Sequence, residues 1–252
     1  MPVLPGAEPF STDGGDVGVL LCHGFTGSPQ SLRPWAEALA RAGHTVRLPL
    51  LPGHGTTWQD MNRTSWREWY DEVDRAFGEL RSRCSSVFVG GLSMGGALAL
   101  RLAQQHGADV AGLVLVNPAV HIRDRRLLAL PALRRVTASF PPIGNDIKKP
   151  GVTELAYDRL PLHALASSLQ LYADVTAHLS RVDQPLLLLH SAVDHVVAPS
   201  NSAAILAGVS STDVTEIVLE DCYHVATLDN DAERIEKESV AFVARLSTEG
   251  AR

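Results

Sequence analysis

The chain has 252 residues, 45% of them hydrophobic and 20% charged, with a net charge of −6 and a mean hydropathy of +0.04. That composition belongs to a globular protein able to bury one core without disulfides or metals. The acidic balance argues against nucleic acid or an anionic membrane as the main partner, and no apolar run approaches the roughly 20 residues that stable membrane insertion needs.

Taken in chain order, Val17–Leu21 reads as the first strand, apolar almost throughout as strands covered on both faces are. The loop His23-Gly24-Phe25-Thr26-Gly27 follows, and then a helix over Ser31–Ala42 with Ser28 as its cap and Pro34 in its first turn. His44–Leu48 is a strand, Trp66–Arg81 a helix, Ser86–Val89 a strand, Met94–Gln105 a helix and Leu113–Val116 a strand. The alternation then stops. From Val120 to Arg181 no strand is evident; the segment opens on Arg123-Asp124-Arg125-Arg126, carries Pro141, Pro142, Pro150 and Pro161, and has a helical stretch over Leu162–His178. Strand Leu186–His190, helix Ser200–Leu206, strand Glu216–Leu219 and helix Ala232–Leu246 complete the chain. The expectation is an α/β protein with a mostly parallel sheet flanked by helices. Its core would span residues 1–119 and 182–252, with 120–181 inserted as a cap above the carboxyl ends of the strands; a small separate structural domain is the plainer alternative.

The stretch Gly91-Leu92-Ser93-Met94-Gly95 contains G-x-S-x-G between a β run and a helix. A serine on so sharp a strand-to-helix turn is strained, and larger flanking side chains would collide there. The turn also places Ser93 at a helix N-terminus, where partial positive charge favours an oxyanion. The pattern is the one expected of a nucleophile elbow in the α/β-hydrolase fold. In that fold the loop after an early strand and the residue after the nucleophile supply the oxyanion hole, which nominates the backbone N–H groups of Phe25 and Met94. The acid and base should follow in that order. Asp194 lies just past the apolar Leu186–His190 strand, and His224 lies past the last strand, before the final helix. Ser93 would attack, His224 would take and return the proton, and Asp194 would orient the imidazole.

Competing readings are plainer. His23 precedes the serine and reads as a brace for its loop; His54 sits in the tight turn Pro52-Gly53-His54-Gly55; His190 ends a strand; and His195 should point away from Asp194. Asp183 and Asp221 occupy the acid loop less well, and Cys222 reads as a passive buried thiol. The histidines lack ligand spacing, so no metal is expected, and the mechanism calls for no cofactor. Three cysteines, Cys22, Cys84 and Cys222, behind a first stretch with no leader character lead to the expectation of reduced thiols in a cytoplasmic protein. The oligomeric state stays open.

The sequence resembles the bacterial monoacylglycerol lipases and the small carboxylesterases of thermophilic bacilli. The resemblance is carried by His23-Gly24-Phe25-Thr26-Gly27, Gly53-His54-Gly55-Thr56, the Ser93 elbow, Glu154-Leu155-Ala156-Tyr157, Asp194-His195-Val196-Val197 and Tyr223 through Asp229. It implies a small cap and hydrolysis of monoacylglycerols or short- to medium-chain acyl esters. It also implies that Glu154 contacts the glycerol head and that Ile143 narrows the acyl pocket. The segment Arg123–Phe140 departs most from that family. Because fold does not fix function, thioester, C–C or perhydrolytic chemistry on the same fold is an alternative, as is a non-catalytic ligand-binding relative, against which the serine–acid–histidine order stands.

Overall fold

The computed structural model describes residues 2–142 and 145–249. In chain order it contains β1 (Phe10–Thr12), β2 (Val17–Cys22), α1 (Arg33–Arg41), β3 (Thr45–Leu48), α2 (Trp58–Met61), α3 (Trp66–Arg81), β4 (Ser86–Leu92), α4 (Met94–His106) and β5 (Gly112–Val116). There follow α5 (Leu130–Val136), β6 (Ser139–Phe140), β7 (Leu160–Pro161), α6 (Leu162–Ala177), β8 (Leu186–Ser191), α7 (Ser200–Gly208), β9 (Val214–Leu219) and α8 (Ala232–Glu249). Seven strands form one sheet in the order β1-β3-β2-β4-β5-β8-β9. All neighbours run parallel except β1, which pairs antiparallel with β3.

The parallel strands are apolar because helices cover both faces. On one face, α3, α4 and α6 bury Trp69, Phe77, Leu98 and Leu171 against Val87, Val89, Leu113 and Leu188. On the other, α1 and α8 bury Trp35, Leu39, Ile235 and Val243 against Leu21, Phe88, Val114 and Leu187. Helix α3 starts on a capping box in which the Ser65 backbone N–H donates to Glu68. Among the described residues no helix is long and apolar enough to cross a membrane.

The structure departs from the sequence reading at Ser28, in the short helices α2 and α5, in the edge strand β1 and within the segment 120–181. Ser28 precedes a 3-10 turn, Pro29–Leu32, rather than the α-helix itself; its side chain caps nothing, and its buried hydroxyl finds no partner among the described residues. The edge strand β1 is new, a three-residue element too short for any periodicity to register. The segment 120–181 also holds a two-stranded ribbon, β6 with β7, two residues long on each side. Among the described residues, nothing between Val116 and Leu186 joins the main sheet.

Candidate active site

The sheet order determines what meets at its carboxyl edge. β2 lies beside β4 with Cys22 opposite Gly91, so the chain leaving β2 runs alongside the turn leaving β4. β5, β8 and β9 follow in succession, with Val116 opposite Leu189 and Ser191 opposite Leu219. The Phe25 loop, Ser93, Asp194 and His224 therefore emerge from neighbouring strand ends although 30 to 100 residues of sequence separate some of them, roughly, as a crossover topology entails.

Ser93 has φ 56° and ψ −120°, a conformation that non-glycine residues rarely adopt and that costs about 1–3 kcal/mol. The surroundings enforce it. A Cβ on Gly91 would lie 2.2 Å from the Gly95 carbonyl oxygen, and one on Gly95 would lie 1.9 Å from that of Cys22. The Ser93 N–H donates to the Val116 carbonyl (3.0 Å), and the Ser93 carbonyl accepts from the N–H groups of Gly96 (2.9 Å) and Ala119 (3.1 Å). The strained turn is thus bolted to β5 as well as to its own helix.

Beside it, Thr26 turns the loop with φ 61° and donates its hydroxyl to the Phe25 carbonyl. Among the described residues neither the N–H of Phe25 nor that of Met94 donates to another protein group. His23 braces this loop: its Nε2 accepts from the Leu51 N–H (3.2 Å) and its Nδ1 lies 3.1 Å from the Gly24 carbonyl. Those two contacts select the neutral tautomer protonated at Nδ1, and burial pushes the imidazole pKa down to about 4. His54, packed edge-on between His23 and Trp69, is likewise buried and held neutral.

His224 Nδ1 lies 2.8 Å from Asp194 Oδ2, both side chains being almost fully enclosed. The carboxylate can only accept, so Nδ1 carries the proton and Nε2 is left basic. Burial works against the charge on Asp194. The hydrogen bond and attraction of His224 and the N–H groups of Val197 (2.7 Å) and Val196 (2.8 Å), both on Oδ1, outweigh it and hold the carboxyl below its ordinary pKa.

Ser93 and His224 line a cavity of about 580 Å³, with Phe25, Leu165, Tyr172 and Glu154 among its other walls. That is the usual size of a small-molecule site. Glu154 is recessed beside Gly27, and burial raises its pKa against the attraction of His224 and a hydrogen bond with Ser31. Tyr157 ties the same segment to the Gly53 turn, donating to the Gly53 carbonyl (2.5 Å) and accepting from the Thr56 N–H (3.1 Å). Ile143 lies outside the described residues.

The remaining candidates take other partners, although His195 borders the same cavity. His195 turns to Asp146 (2.8 Å) and packs on Tyr223. Asp221 pairs with Lys148, His190 with Glu216, and Asp183 with Gln184. Cys222 is buried beside Ser191, with its thiol pushed up to about 12. Two site residues escaped the sequence reading. Asn117, at φ 43° just past β5, donates from Nδ2 to the His224 carbonyl (2.8 Å) and accepts the Ser191 N–H at Oδ1 (2.7 Å). Asp146 accepts the His224 N–H (3.1 Å). A polar residue at the very end of a central strand was a usable signal for the first; nothing local marks the second.

A family model described as Serine aminopeptidase, S33 (Hydrolase_4) matches residues 16–231. The thermostable monoacylglycerol lipase of Bacillus sp. (strain H-257) is 46% identical over 97% of this chain and 97% of its own. The carboxylesterase of Bacillus subtilis (strain 168) is 25% identical over 95% of this chain and 97% of its own. Among solved structures, one described under LipS and LipT, two metagenome-derived lipolytic enzymes, superposes with a TM-score of 0.94 at 44% identity, covering 97% of this chain and 100% of that one. Agreement of that extent in both sequence and fold makes this chain a member of the Hydrolase_4 family, a hydrolase of the α/β-hydrolase fold.

Proposed function

We propose that the protein is a serine esterase that cleaves carboxylic esters, monoacylglycerols or short- to medium-chain acyl esters, through an acyl-enzyme. The observation that carries this reading is the convergence on one cavity of a serine held at a strained helix N-terminus and a histidine whose Nδ1 is committed to a carboxylate. Ser93 Oγ attacks the ester carbonyl carbon while His224 Nε2 takes its proton; the carbonyl π pair moves onto oxygen. The N–H groups of Phe25 and Met94 receive that oxyanion, and each such donor is worth about 100- to 1,000-fold in rate. Collapse expels the alcohol, which leaves with the proton from His224. Water then gives a proton to His224 as it attacks the acyl group, and the acid departs as Ser93 regains its hydroxyl.

The segment 120–181 serves as the cap over the core formed by residues 1–119 and 182–252. Support comes from its wall residues, since Arg123, Glu154, Leu165 and Tyr172 all border the cavity. Glu154 contacts the glycerol head: its carboxyl is recessed in the cavity wall, where its oxygens can accept hydrogen bonds from hydroxyl groups. The buried free cysteines support a cytoplasmic protein, and small esters are the partners this cavity fits.

The test compares wild type, Ser93→Ala and Glu154→Ala on nitrophenyl esters of graded chain length, monoacylglycerols and an aminoacyl nitroanilide. Ser93→Ala should lower every ester rate by about 10⁴-fold or more, and equal rates would refute the nucleophile. Glu154→Ala should weaken monoacylglycerol turnover more than nitrophenyl ester turnover; a uniform loss counts against a glycerol contact. Faster cleavage of the anilide than of any ester would move the assignment to the peptidase after which the family is described.

A further inference from the structure

His224 is held by its own peptide at both ends. Its carbonyl accepts from Asn117 Nδ2 (2.8 Å), the residue just past β5. Its N–H donates to Asp146 Oδ2 (3.1 Å), a residue of the segment inserted between β5 and β8. The same Oδ2 accepts the N–H of His195 (3.1 Å), the residue directly after Asp194, while Oδ1 lies 2.8 Å from His195 Nδ1. The Asp146 carbonyl accepts the Val225 N–H (3.1 Å). One carboxylate, only 13% exposed, therefore joins the acid loop to the histidine loop. A second carboxylate fastens it in place: Asp229 accepts the N–H groups of Lys148 (2.7 Å), Lys149 (2.8 Å) and Tyr223 (2.9 Å).

From this arrangement we infer that Asp146 is a positioning residue for the hydrolytic reaction, setting the spacing between the loops that carry Asp194 and His224. The inference rests on the Ser93–Asp194–His224 assignment proposed above. Nothing else among the described residues bridges the backbone of the two loops through a single side-chain atom. The inserted segment from Asn145 to Lys149 then belongs to the catalytic frame and not to a freely swinging cover. Reaction geometry is sensitive at this scale, since a displacement of 1 Å costs about 100-fold in rate.

Three variants separate geometry from charge. Asp146→Asn keeps an oxygen for both N–H groups and an amide that can donate to His195 Nδ1, so it should retain kcat within about threefold, a factor that corresponds to less than one hydrogen bond. Asp146→Ala removes the bridge, and Asp146→Glu keeps the charge but displaces it by a methylene. Both should lose kcat on a nitrophenyl ester by about 10- to 100-fold, with KM changed less than threefold, roughly, because Asp146 itself is not among the residues that line the cavity. If Asp146→Ala does not fold, the contrast of Asp146→Asn with Asp146→Glu carries the test. Unchanged kcat in folded Asp146→Ala or Asp146→Glu would overturn the inference, as would a rise in KM alone or an Asn variant as impaired as the Glu variant. Ser93→Ala assayed in parallel keeps the two questions apart: if it stays active, the triad fails, whereas if it is dead while the Asp146 variants are normal, only the bridge fails.

Discussion

Gly27 shows how a single hydrogen atom can matter at the cavity wall. A Cβ built there would lie 2.7 Å from Glu154 Oε1 but no closer than 3.6 Å to any other heavy atom. The glycine has no positive φ, so alanine fits its backbone, and the clash falls on the end of a flexible side chain. Gly27→Ala should therefore leave stability within about 0.5 kcal/mol while displacing the Glu154 carboxyl. Its monoacylglycerol turnover should fall and its nitrophenyl ester turnover should not, in parallel with Glu154→Ala. Equal losses on both substrates would show that the loop itself had moved. At this scale the proposed triad could be named from the sequence because each member follows a strand in the order the reaction needs. Glu154 could not: no local pattern marks it, and only the resemblance to known lipases pointed to it. Asp146 was less legible still, being one carboxylate in an irregular segment whose partners lie about 50 and about 80 residues on, as loop-borne functional groups often do.

Two glycines in helices make opposite predictions at the scale of the element. Gly95, in the first turn of α4, sits where a Cβ would meet the Cys22 carbonyl oxygen at 1.9 Å and that of His23 at 2.8 Å. Both obstacles are backbone, one of them the end of β2, so no rotamer relieves them. Gly95→Ala should cost about 3 kcal/mol or more and separate the Ser93 turn from the Phe25 loop. Gly78, exposed within α3, has nothing within 4 Å of its virtual Cβ, and Gly78→Ala should stabilise by about 0.5–1 kcal/mol. Denaturant unfolding of the two variants checks both; a stabilised Gly95→Ala would contradict the tight contact between β2 and α4. The same contact explains which elements could be read from the sequence. β2, β4, β5 and β8 are apolar runs because helices cover both their faces, and α3 repeats its apolar positions because one side is core. β1 pairs through three residues at a sheet edge, and β6 with β7 through two, so backbone hydrogen bonds and not side-chain pattern define them.

For the whole molecule, the site leaves opposing marks on stability. Asp194 is held below its ordinary pKa in the folded state, so the native protein releases that proton more readily than the unfolded chain. Its contribution is fully present above the unfolded value of about 3.9 and is lost as pH falls through the lower folded value. Glu154 runs the other way. Burial raises its pKa, so the native state holds the proton more tightly; the resulting penalty is absent at low pH, appears as pH rises through about 4.3, and is complete above the raised folded value. Glu154→Gln should consequently raise the thermal midpoint at pH 7 even as it lowers monoacylglycerol turnover, and the gain should shrink as the solution is acidified to about pH 3. Asp194→Asn should lower the midpoint at pH 7, with a deficit that also closes towards acid. Melting curves taken across that range for both variants and the wild type measure the two slopes directly. Differences that stay constant with pH would mean that packing, and not proton binding, separates the variants. A gain for Glu154→Gln confined to neutral pH would instead identify Glu154 as a carboxyl kept in place at the expense of stability, the pattern expected where a side chain is retained for what it binds.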